Sequence, residues 1–296
     1  MDIEGRALLA PISTFTNLPF RLLCQKHGAQ GAVVPLVSAK ALVMHGPDMA
    51  ELDHDPSERF VGVQLFGSSA EDIGKAAAMV ARRYGFIRYM DINCACPVRK
   101  VVRTGAGSAL LRKSGLVARM IRSASACGLP VTVKLRKHRD ARSTLEFCRT
   151  CEEAGAHALF IHGRSPKQGY SGEPDWELIS RVAAEVSVPV IGSGDIRSMG
   201  QGKRVLGEAG CSAFMMGRAA MADPAVFSSP DAATLERKRS LFMEYLSLCE
   251  ESGQARLPDL KSKAIQMFSG FGNSADFRAR IGLCRDLDGL MRAIGS

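Results

Sequence analysis

Short apolar segments recur along most of this chain, and helix-like segments separate them. Most of the apolar segments are continuous rather than alternating, as in parallel strands that are buried on both faces. We predict helices at Ser69–Tyr84, Ser114–Cys127, Ser143–Ala154, Trp176–Glu185 and Gly200–Glu208. The predicted strands are Ala7–Pro11, Ala32–Val37, Val61–Phe66, Tyr89–Asn93, Val131–Leu135, Ala158–His162, Val188–Gly192 and Ala213–Gly217.

The alternation of eight such strands with helices predicts a (β/α)8 TIM barrel, an α/β fold. A doubly wound open sheet is the alternative, because strand counting does not distinguish the two. After Asp223-Pro224 the pattern changes to helices alone, at Ala232–Glu251, Leu260–Phe271 and Ala275–Ile294. We therefore predict a barrel domain over residues 1–229 and a small C-terminal all-helical domain over residues 230–296.

Composition restricts the class of protein. The 296 residues are 46% hydrophobic and 23% charged, and contain no apolar run long enough to span a membrane. The N-terminus lacks a basic region ahead of an apolar stretch, so no secretory signal is expected. Nine dispersed cysteines do not resemble the disulfide framework of a small secreted domain. We expect a cytoplasmic protein that functions as a monomer.

The active site of a TIM barrel forms at the C-terminal ends of its strands. Gln64 and Lys134 each interrupt an otherwise apolar predicted strand. A lysine inside a buried strand is costly unless it is paired or binds an anion. The sequence therefore indicates either a ligand contact at the barrel mouth or a buried ion pair with Asp91 or Asp195.

Glycines follow the last two predicted strands, in Gly192-Ser193-Gly194 and Gly217-Arg218. In barrels of this kind the loops after strands seven and eight commonly bind phosphate. A ligand with its phosphate there and its polar head at Gln64 and Lys134 matches FMN, whose ring accepts a cation at one edge and an amide at the other.

The net charge of +9 is concentrated in three loops that would be neighbours at the barrel mouth. A phosphate-rich polymer is the natural partner of such a surface, and a solvated basic rim is the alternative. The basic residues of these loops are Arg99, Lys100, Arg103, Arg112, Lys113, Arg136, Lys137, His138, Arg139, Arg142, Arg164 and Lys167.

Two cysteines lie one residue apart in Asn93-Cys94-Ala95-Cys96-Pro97. A metal site would need two further ligands. The other close pair, Cys148 and Cys151, lies on a predicted outer helix, where we expect both thiols to pack as small apolar groups. We therefore predict no metal. One thiol of the motif would be catalytic, as a thiolate nucleophile or as an acid beside a flavin, and strand alternation alone does not choose between them.

Together these motifs resemble the tRNA-dihydrouridine synthases, FMN enzymes that reduce uridine in RNA. The resemblance covers the whole predicted barrel. It is carried by Ala10-Pro11, Asn17-Leu18-Pro19-Phe20-Arg21, Val63-Gln64-Leu65-Phe66-Gly67, Asp91-Ile92-Asn93, Cys96-Pro97, Gly105-Ala106-Gly107-Ser108-Ala109-Leu110-Leu111, Val131-Thr132-Val133-Lys134-Leu135-Arg136, His162-Gly163-Arg164, Tyr170-Ser171-Gly172, Asp175-Trp176, Gly194-Asp195-Ile196 and Met216-Gly217-Arg218.

The resemblance implies that Cys96, at the position of the family's Gly-Cys-Pro, is the general acid. It also implies that Asn93 positions the uracil and that Arg136 and Arg164 serve the RNA side. The basic loops and the helical domain add Arg99, Lys100, Arg139, Lys261 and Arg278 as predicted RNA contacts. The residues implied to hold FMN are Pro11, Ile12, Ser13, Gln64, Lys134, His162, Ser193, Gly194, Asp195, Gly217 and Arg218.

The expected reaction is hydride transfer from reduced FMN to C6 of a uridine in tRNA, with Cys96 protonating C5 and NADPH or NADH reducing the flavin. Two alternatives remain: an FMN oxidoreductase acting on a free small pyrimidine, as dihydroorotate and dihydropyrimidine dehydrogenases do, and a catalytically inactive RNA-binding homologue. The chain departs from the family pattern at Ala95, Pro35 and Ser193, where the family usually has Gly, Glu and Asn.

Overall fold

The structure, a computed structural model, describes residues 1–228, 234–269 and 274–295, with side chains from residue 276 onward in the last range. Eight parallel strands close into a barrel in chain order, because the first strand pairs with both the second and the eighth, for example Ala7 with Phe214. The barrel prediction is confirmed, and the open sheet is excluded. The strands are β1 (Ala7–Leu9), β2 (Ala32–Ser38), β3 (Val61–Phe66), β4 (Ile87–Cys94), β5 (Val131–Arg136), β6 (Ala158–His162), β7 (Val190–Ser193) and β8 (Ala213–Met216).

The predicted strand bounds differ from the observed bounds by a few residues. β7 begins at Val190 rather than at Val188, because Pro189 has no N–H to donate to a ladder. β1 ends at Leu9, because the chain turns at Ala10, whose carbonyl accepts a hydrogen bond from the hydroxyl of Thr16 at 3.0 Å.

Helices surround the barrel, and several begin at side chains that cap them. Asp140, Asp175 and Ser198 each accept a hydrogen bond from a backbone N–H in the first helical turn. The helices are α1 (Leu18–Lys26), α2 (Ala39–His45), α3 (Ala70–Arg83), α4 (Arg99–Val102), α5 (Ser114–Ser125), α6 (Ala141–Glu153), α7 (Trp176–Glu185), α8 (Met199–Ala209), α9 (Arg218–Ala222), α10 (Leu235–Glu251), α11 (Leu257–Met267), α12 (Ser274–Leu283) and α13 (Leu287–Gly295).

The single helix predicted over Ala275–Ile294 is wrong, since α12 and α13 are separate. The break lies at Asp286, whose carboxylate accepts a hydrogen bond from the N–H of Gly289 at 2.7 Å. Asp286 thereby caps the N-terminus of α13. The predicted helix ends at Ala232 and Phe271, and the predicted domain boundary at residues 229 and 230, lie outside the described residues.

The C-terminal helices and the barrel share an apolar cluster that includes Phe15, Phe20 and Tyr245. Within it, the ammonium group of Lys263 on α11 donates a hydrogen bond to the carbonyl oxygen of Phe15 at 2.6 Å. The same ammonium lies 3.9 Å from the centre of the Phe15 ring. Burial lowers the pKa of Lys263 to about 7. The loop after β1 is thus held by a residue of the helical part.

In the part of the chain that the structure describes, no helix combines the length and the apolar character that a membrane crossing requires.

Candidate active site

A cavity of about 740 Å³ opens at the C-terminal ends of the strands. Its volume lies in the range of small-molecule and cofactor sites. Lys238 of α10, in the helical part of the chain, also lines the cavity. Every predicted FMN residue, and also Cys96, Asn93 and Arg136, lines this one cavity: Pro11, Ile12, Ser13, Gln64, Asn93, Cys96, Lys134, Arg136, His162, Ser193, Gly194, Asp195, Gly217 and Arg218.

The two cysteines of the motif occupy different environments. Cys94 ends β4, and its side chain is fully buried in the shell between the barrel and the helices. Burial raises the pKa of Cys94 well above its ordinary value. Cys96 lies beyond the strand end, is partly exposed and lines the cavity. Of these two thiols, only that of Cys96 is placed to meet a ligand in the cavity.

The loop that carries Cys96 is fixed on both sides. The side-chain oxygen of Asn93 accepts hydrogen bonds from the N–H groups of Ala95 and Cys96 at 3.2 and 3.0 Å. Arg136 donates from Nε to the carbonyl oxygen of Ala95 at 3.1 Å. Ala95 has a negative φ, so its backbone conformation does not require the glycine usual in the family.

A chain of buried polar groups continues from Asn93 into the barrel. Its Nδ2 donates to Oε1 of Gln64 at 2.6 Å, and Nε2 of Gln64 donates to Oδ2 of Asp91 at 2.7 Å. The hydroxyl of Thr132 donates to the other carboxylate oxygen of Asp91 at 2.7 Å. Burial raises the pKa of Asp91, although the hydrogen bonds from Gln64 and Thr132 oppose the shift.

Lys134 is 9% exposed and lines the cavity. Its ammonium group makes no hydrogen bond or ion pair with any residue that the structure describes, so the predicted alternative of an ion pair with Asp91 or Asp195 is not formed. Burial lowers the pKa of Lys134, and the charge of Asp91 partly offsets this effect. A buried ammonium without a protein acceptor is a ready partner for an electronegative ligand edge.

Arg164, predicted to serve the RNA side, is buried beside the mouth of the barrel. Its side chain is 1% exposed, and its two terminal nitrogens donate to the carboxylate of Asp195 at 2.9 and 2.6 Å. Its Nε also donates to the carbonyl oxygen of Gly172 at 3.1 Å. The arginine therefore joins the loops after β6 and β7, and its hydrogen bonds hold the pKa of Asp195 below the usual range.

Arg136 is also buried and is used within the protein, since it donates to the carbonyl oxygens of Ala95 and Gly169. Lys261 donates to the carbonyl oxygens of Gly282 and Cys284 at 2.7 and 2.9 Å. The side chain of Lys261, which lies on α11, thus caps the C-terminal carbonyl groups of α12 rather than extending toward a ligand.

The remaining predicted RNA contacts are exposed and lie outside the cavity wall. Arg99 and Lys100 begin the short helix α4, directly after the Cys96 loop. Arg139 follows β5 and pairs with Asp140 at 3.1 Å, and Arg278 is exposed on α12. Arg99, Lys100 and Arg139 therefore remain available at the mouth of the barrel.

Tyr170, which the sequence predictions assigned no role, lines the cavity. Its side chain is 58% exposed, and the guanidinium carbon of Arg218 lies 4.5 Å from the centre of its ring. In the sequence, the position of this aromatic residue in a loop rich in basic residues could have indicated a cation–π contact. His162 lies nearby, and burial together with the neighbouring cations lowers its pKa to about 2, so its imidazole is neutral.

Of the three departures from the family pattern, Ala95 and Ser193 line the cavity, and Pro35 precedes a residue that lines it. The pairing of β2 with β3 shifts register between Val34 and Val37, and Leu36 within this bulge has a φ of 46° and lines the cavity. The bulge that contains Pro35 thus directs an apolar side chain into the site. Ser193 donates from its hydroxyl to the carbonyl oxygen of Ile161 at 3.1 Å.

Within the described ranges, no three His, Cys, Asp or Glu side chains gather as a metal site requires. All nine cysteines are free thiols, and Cys148 and Cys151 are buried on α6 as predicted.

The sequence model of the family described as "Dihydrouridine synthase (Dus)" matches residues 8–275. The chain is 30% identical over 289 residues to a "Probable tRNA-dihydrouridine synthase" of Aquifex aeolicus, a match that covers 94% of this chain and 91% of the relative. It is 33% identical over 259 residues to "tRNA-dihydrouridine synthase B" of Pseudomonas aeruginosa, a match that covers 83% of this chain and 77% of that protein.

Among solved structures, a 2-naphthoyl-CoA reductase in complex with 2-naphthoyl-CoA is similar, with a TM-score of 0.55 and 11% identity over 76% of this chain and 49% of that one. That likeness concerns the fold alone. The family match and the curated relatives, which extend over the barrel and the cavity described above, establish that this chain belongs to the dihydrouridine synthase family.

Proposed function

We propose that this protein reduces a uridine of tRNA to 5,6-dihydrouridine, with FMN as cofactor and NADPH or NADH as reductant. Membership of the dihydrouridine synthase family and the names of the curated relatives support the reaction and the substrate. The cavity residues support the cofactor. The protein would act as a monomer in the cytoplasm.

The cavity has the groups that FMN requires. Lys134 supplies a cation that has no acceptor in the described part of the chain, and Gln64 supplies an amide. These groups suit the two polar edges of the flavin ring. Gly194, at a φ of 138°, and Gly217 line the cavity just after β7 and β8, where a phosphate would lie. When bound and reduced, FMN supplies the hydride that adds to C6 of the uracil.

Cys96 completes the reaction. Addition of a hydride to C6 places the electron pair of the former double bond at C5, and a proton must be added there. The thiol of Cys96 lies at the cavity surface, held by Asn93 and next to the basic mouth. The proposed product gains one hydride and one proton, and the cysteine recovers its proton from solvent.

The tRNA would bind over the mouth. A uridine must leave its stack to reach a cavity at the ends of the strands. Exposed Arg99 and Lys100 follow the Cys96 loop, exposed Arg139 follows β5, and these three would neutralise phosphates of the flanking nucleotides. Arg136 and Arg164 are proposed to shape the loops rather than to bind phosphate, because both are buried.

One observation carries the proposal: Cys96 and Lys134, whose ammonium has no hydrogen-bond or ion-pair partner among the described residues, line the same cavity in a chain that matches the dihydrouridine synthase family. The test is incubation of the purified protein with NADPH and with tRNA from cells that lack it, followed by nucleoside mass spectrometry. We expect a yellow protein that forms dihydrouridine.

Other outcomes would contradict specific parts of the proposal. A colourless protein that takes up no flavin would contradict the proposed FMN cofactor. Equal turnover of free uridine and tRNA would favour an oxidoreductase of small pyrimidines. Binding of tRNA without reduction of flavin by NADPH would favour an inactive RNA-binding homologue.

A further inference from the structure

We propose that Asp91 is a positioning residue that fixes the Cys96 loop through the side-chain amides of Gln64 and Asn93. The carboxylate lies two residues behind the proposed uracil contact and is 1% exposed, so it touches neither substrate nor solvent. The proposal rests on the proposed function only in taking Cys96 as the proton donor.

The chain begins at the carboxylate. An ionised carboxylate only accepts hydrogen bonds, and Thr132 already donates to Oδ1 of Asp91 at 2.7 Å. Gln64 can meet Oδ2 only with its NH2 group, which it does at 2.7 Å. The carboxylate therefore decides which end of the Gln64 amide faces Asn93, and that end is the oxygen.

The chain ends at backbone N–H groups, which only donate. Because Oε1 of Gln64 accepts at 2.6 Å, Asn93 must present its own NH2 group to it. The oxygen of Asn93 is then directed at the N–H groups of Ala95 and Cys96. An acceptor at one end and donors at the other thus select one orientation for both amides between them.

Burial makes this selection strict. Gln64 is 1% exposed and Asn93 is 4% exposed. An amide flipped by 180° would therefore place two donors or two acceptors against each other, where little water can enter to satisfy them. If the acceptor at position 91 is removed, the NH2 group of Gln64 loses its partner and the orientation of Asn93 is supported from one end only. The backbone of Cys96 then moves relative to the cavity.

Asp91 has a second neighbour, Lys134, whose charge interacts with it without an ion pair. A purely electrostatic role for Asp91 would therefore act on the proposed flavin contact instead of on Cys96. The two roles separate in the variant Asp91→Asn, which keeps an acceptor oxygen for Gln64 and turns an NH2 group to the hydroxyl of Thr132, but carries no charge.

The experiment compares Asp91→Asn with Asp91→Leu, which has a similar shape and no acceptor. Asp91→Ala replaces Asp91→Leu if the latter does not fold. Thr132→Val is the matched control, because it removes a hydrogen bond to Asp91 and leaves the chain to Cys96 intact. Measurements are bound flavin, kcat and KM for tRNA, and the rate at which iodoacetamide alkylates Cys96, read by tandem mass spectrometry of its peptide.

In the Leu variant we expect kcat, measured with flavin bound, to fall by about 100-fold, as a misplaced catalytic group causes, with a changed alkylation rate at Cys96. Flavin should also bind more weakly in the Leu variant, because the amide of Gln64 loses its partner. Asp91→Asn and Thr132→Val should remain close to wild type in all of these. An unchanged alkylation rate and kcat in the Leu variant would overturn the proposal. Equal loss of flavin from Asp91→Asn and Asp91→Leu would also overturn it. That result would mean that the charge of Asp91 acts on Lys134 and thereby on flavin binding.

The alkylation measurement needs neither tRNA nor reductant. If wild-type protein does not reduce tRNA, the proposed function fails on that result alone. The alkylation rates of the variants still decide whether Asp91 positions Cys96.

Discussion

Gly107 packs directly against the backbone of Cys96: a β-carbon at position 107 would lie 2.6 Å from the carbonyl oxygen of Cys96. That oxygen also accepts a hydrogen bond from the N–H of Ser108 at 2.9 Å. The turn that begins at Gly107 therefore supports the Cys96 loop at its carbonyl oxygen, whereas Asn93 supports it at its N–H, and the φ of 62° at Gly107 favours glycine.

Gly107→Ala should displace Cys96 and lower kcat. The matched control is Gly105→Ala, because Gly105 also has a positive φ, of 80°, but its β-carbon would meet only side-chain atoms, those of Ser68 at 3.4 Å and of Lys113 at 3.6 Å, at ordinary contact distances. Both variants should lose about 1 kcal/mol or more of stability from backbone strain. Only Gly107→Ala should lose turnover as well, and equal kcat in the two variants would contradict the close approach of Gly107 to Cys96.

Replacement of each cysteine of the motif should give different results. Cys96→Ala should retain flavin and lose about 100-fold or more of its turnover, the share that a general acid typically supplies. Cys94→Ala should keep most of its turnover and lose about 1 kcal/mol of stability, because it removes only packing volume from the shell behind β4. Steady-state kinetics and thermal unfolding test both, and the reverse pattern would assign the chemistry to Cys94.

Lys134→Met should weaken flavin binding by about 1.5–3 kcal/mol, the usual contribution of a hydrogen bond to a charged group. Since burial lowers the pKa of Lys134, flavin affinity of the wild-type protein should fall as pH rises through mildly alkaline values, below the range where an ordinary lysine deprotonates. Titration of apoprotein with FMN at several pH values tests this. Lys137→Met, which removes an ion pair with Asp175 outside the cavity wall, should bind flavin normally.

Activity on tRNA should fall with rising salt, because each phosphate that binds a cationic side chain releases counterions. Replacing Arg99 and Lys100 by alanine should make the slope of log affinity against log salt shallower by roughly 0.7–0.9 for each phosphate that is no longer neutralised. Replacing Lys203 and Arg204, an exposed basic pair on α8, changes net charge equally and should leave the slope unchanged. Equal slopes in the two double variants would contradict a role for α4 at the mouth.

The stability of the protein should rise as pH increases from neutral, in part because of Lys263. Its pKa is about 7 in the folded protein and 10.5 ordinarily, so between these values the unfolded chain binds more protons than the folded one. The contribution is at most about 1.4 kcal/mol per pH unit. Urea unfolding at neutral and mildly alkaline pH should show a smaller rise for Lys263→Met, and an equal rise would mean that other groups are responsible.

The sequence predicted the barrel because buried parallel strands are continuous apolar runs, as at Val61–Phe66 and Ala158–His162, where the predicted bounds match the structure. The cavity residues were found for a related reason: the ends of parallel strands converge, so Gln64, Lys134 and Ser193 had to lie near one another.

What the sequence did not predict depends on interactions between distant residues. The charge of Arg164 is visible in the sequence, but its pairing with Asp195 on another loop is not. Cys94 and Cys96 could not be distinguished because strand alternation stops where β4 ends. The break between α12 and α13 depends on one capping hydrogen bond to Asp286 within an otherwise helical pattern.

The hydrogen bond from Lys263 to Phe15 limits how the two parts of this chain can be exchanged with those of relatives. A hybrid that joined this barrel to foreign helices lacking a lysine at that place would leave the Phe15 carbonyl buried without a donor, next to the loop that forms one wall of the cavity. Compatible hybrids would have to transfer Phe15, Phe20 and Tyr245 together with Lys263. Selection on the helical part is therefore also selection on the shape of the cavity.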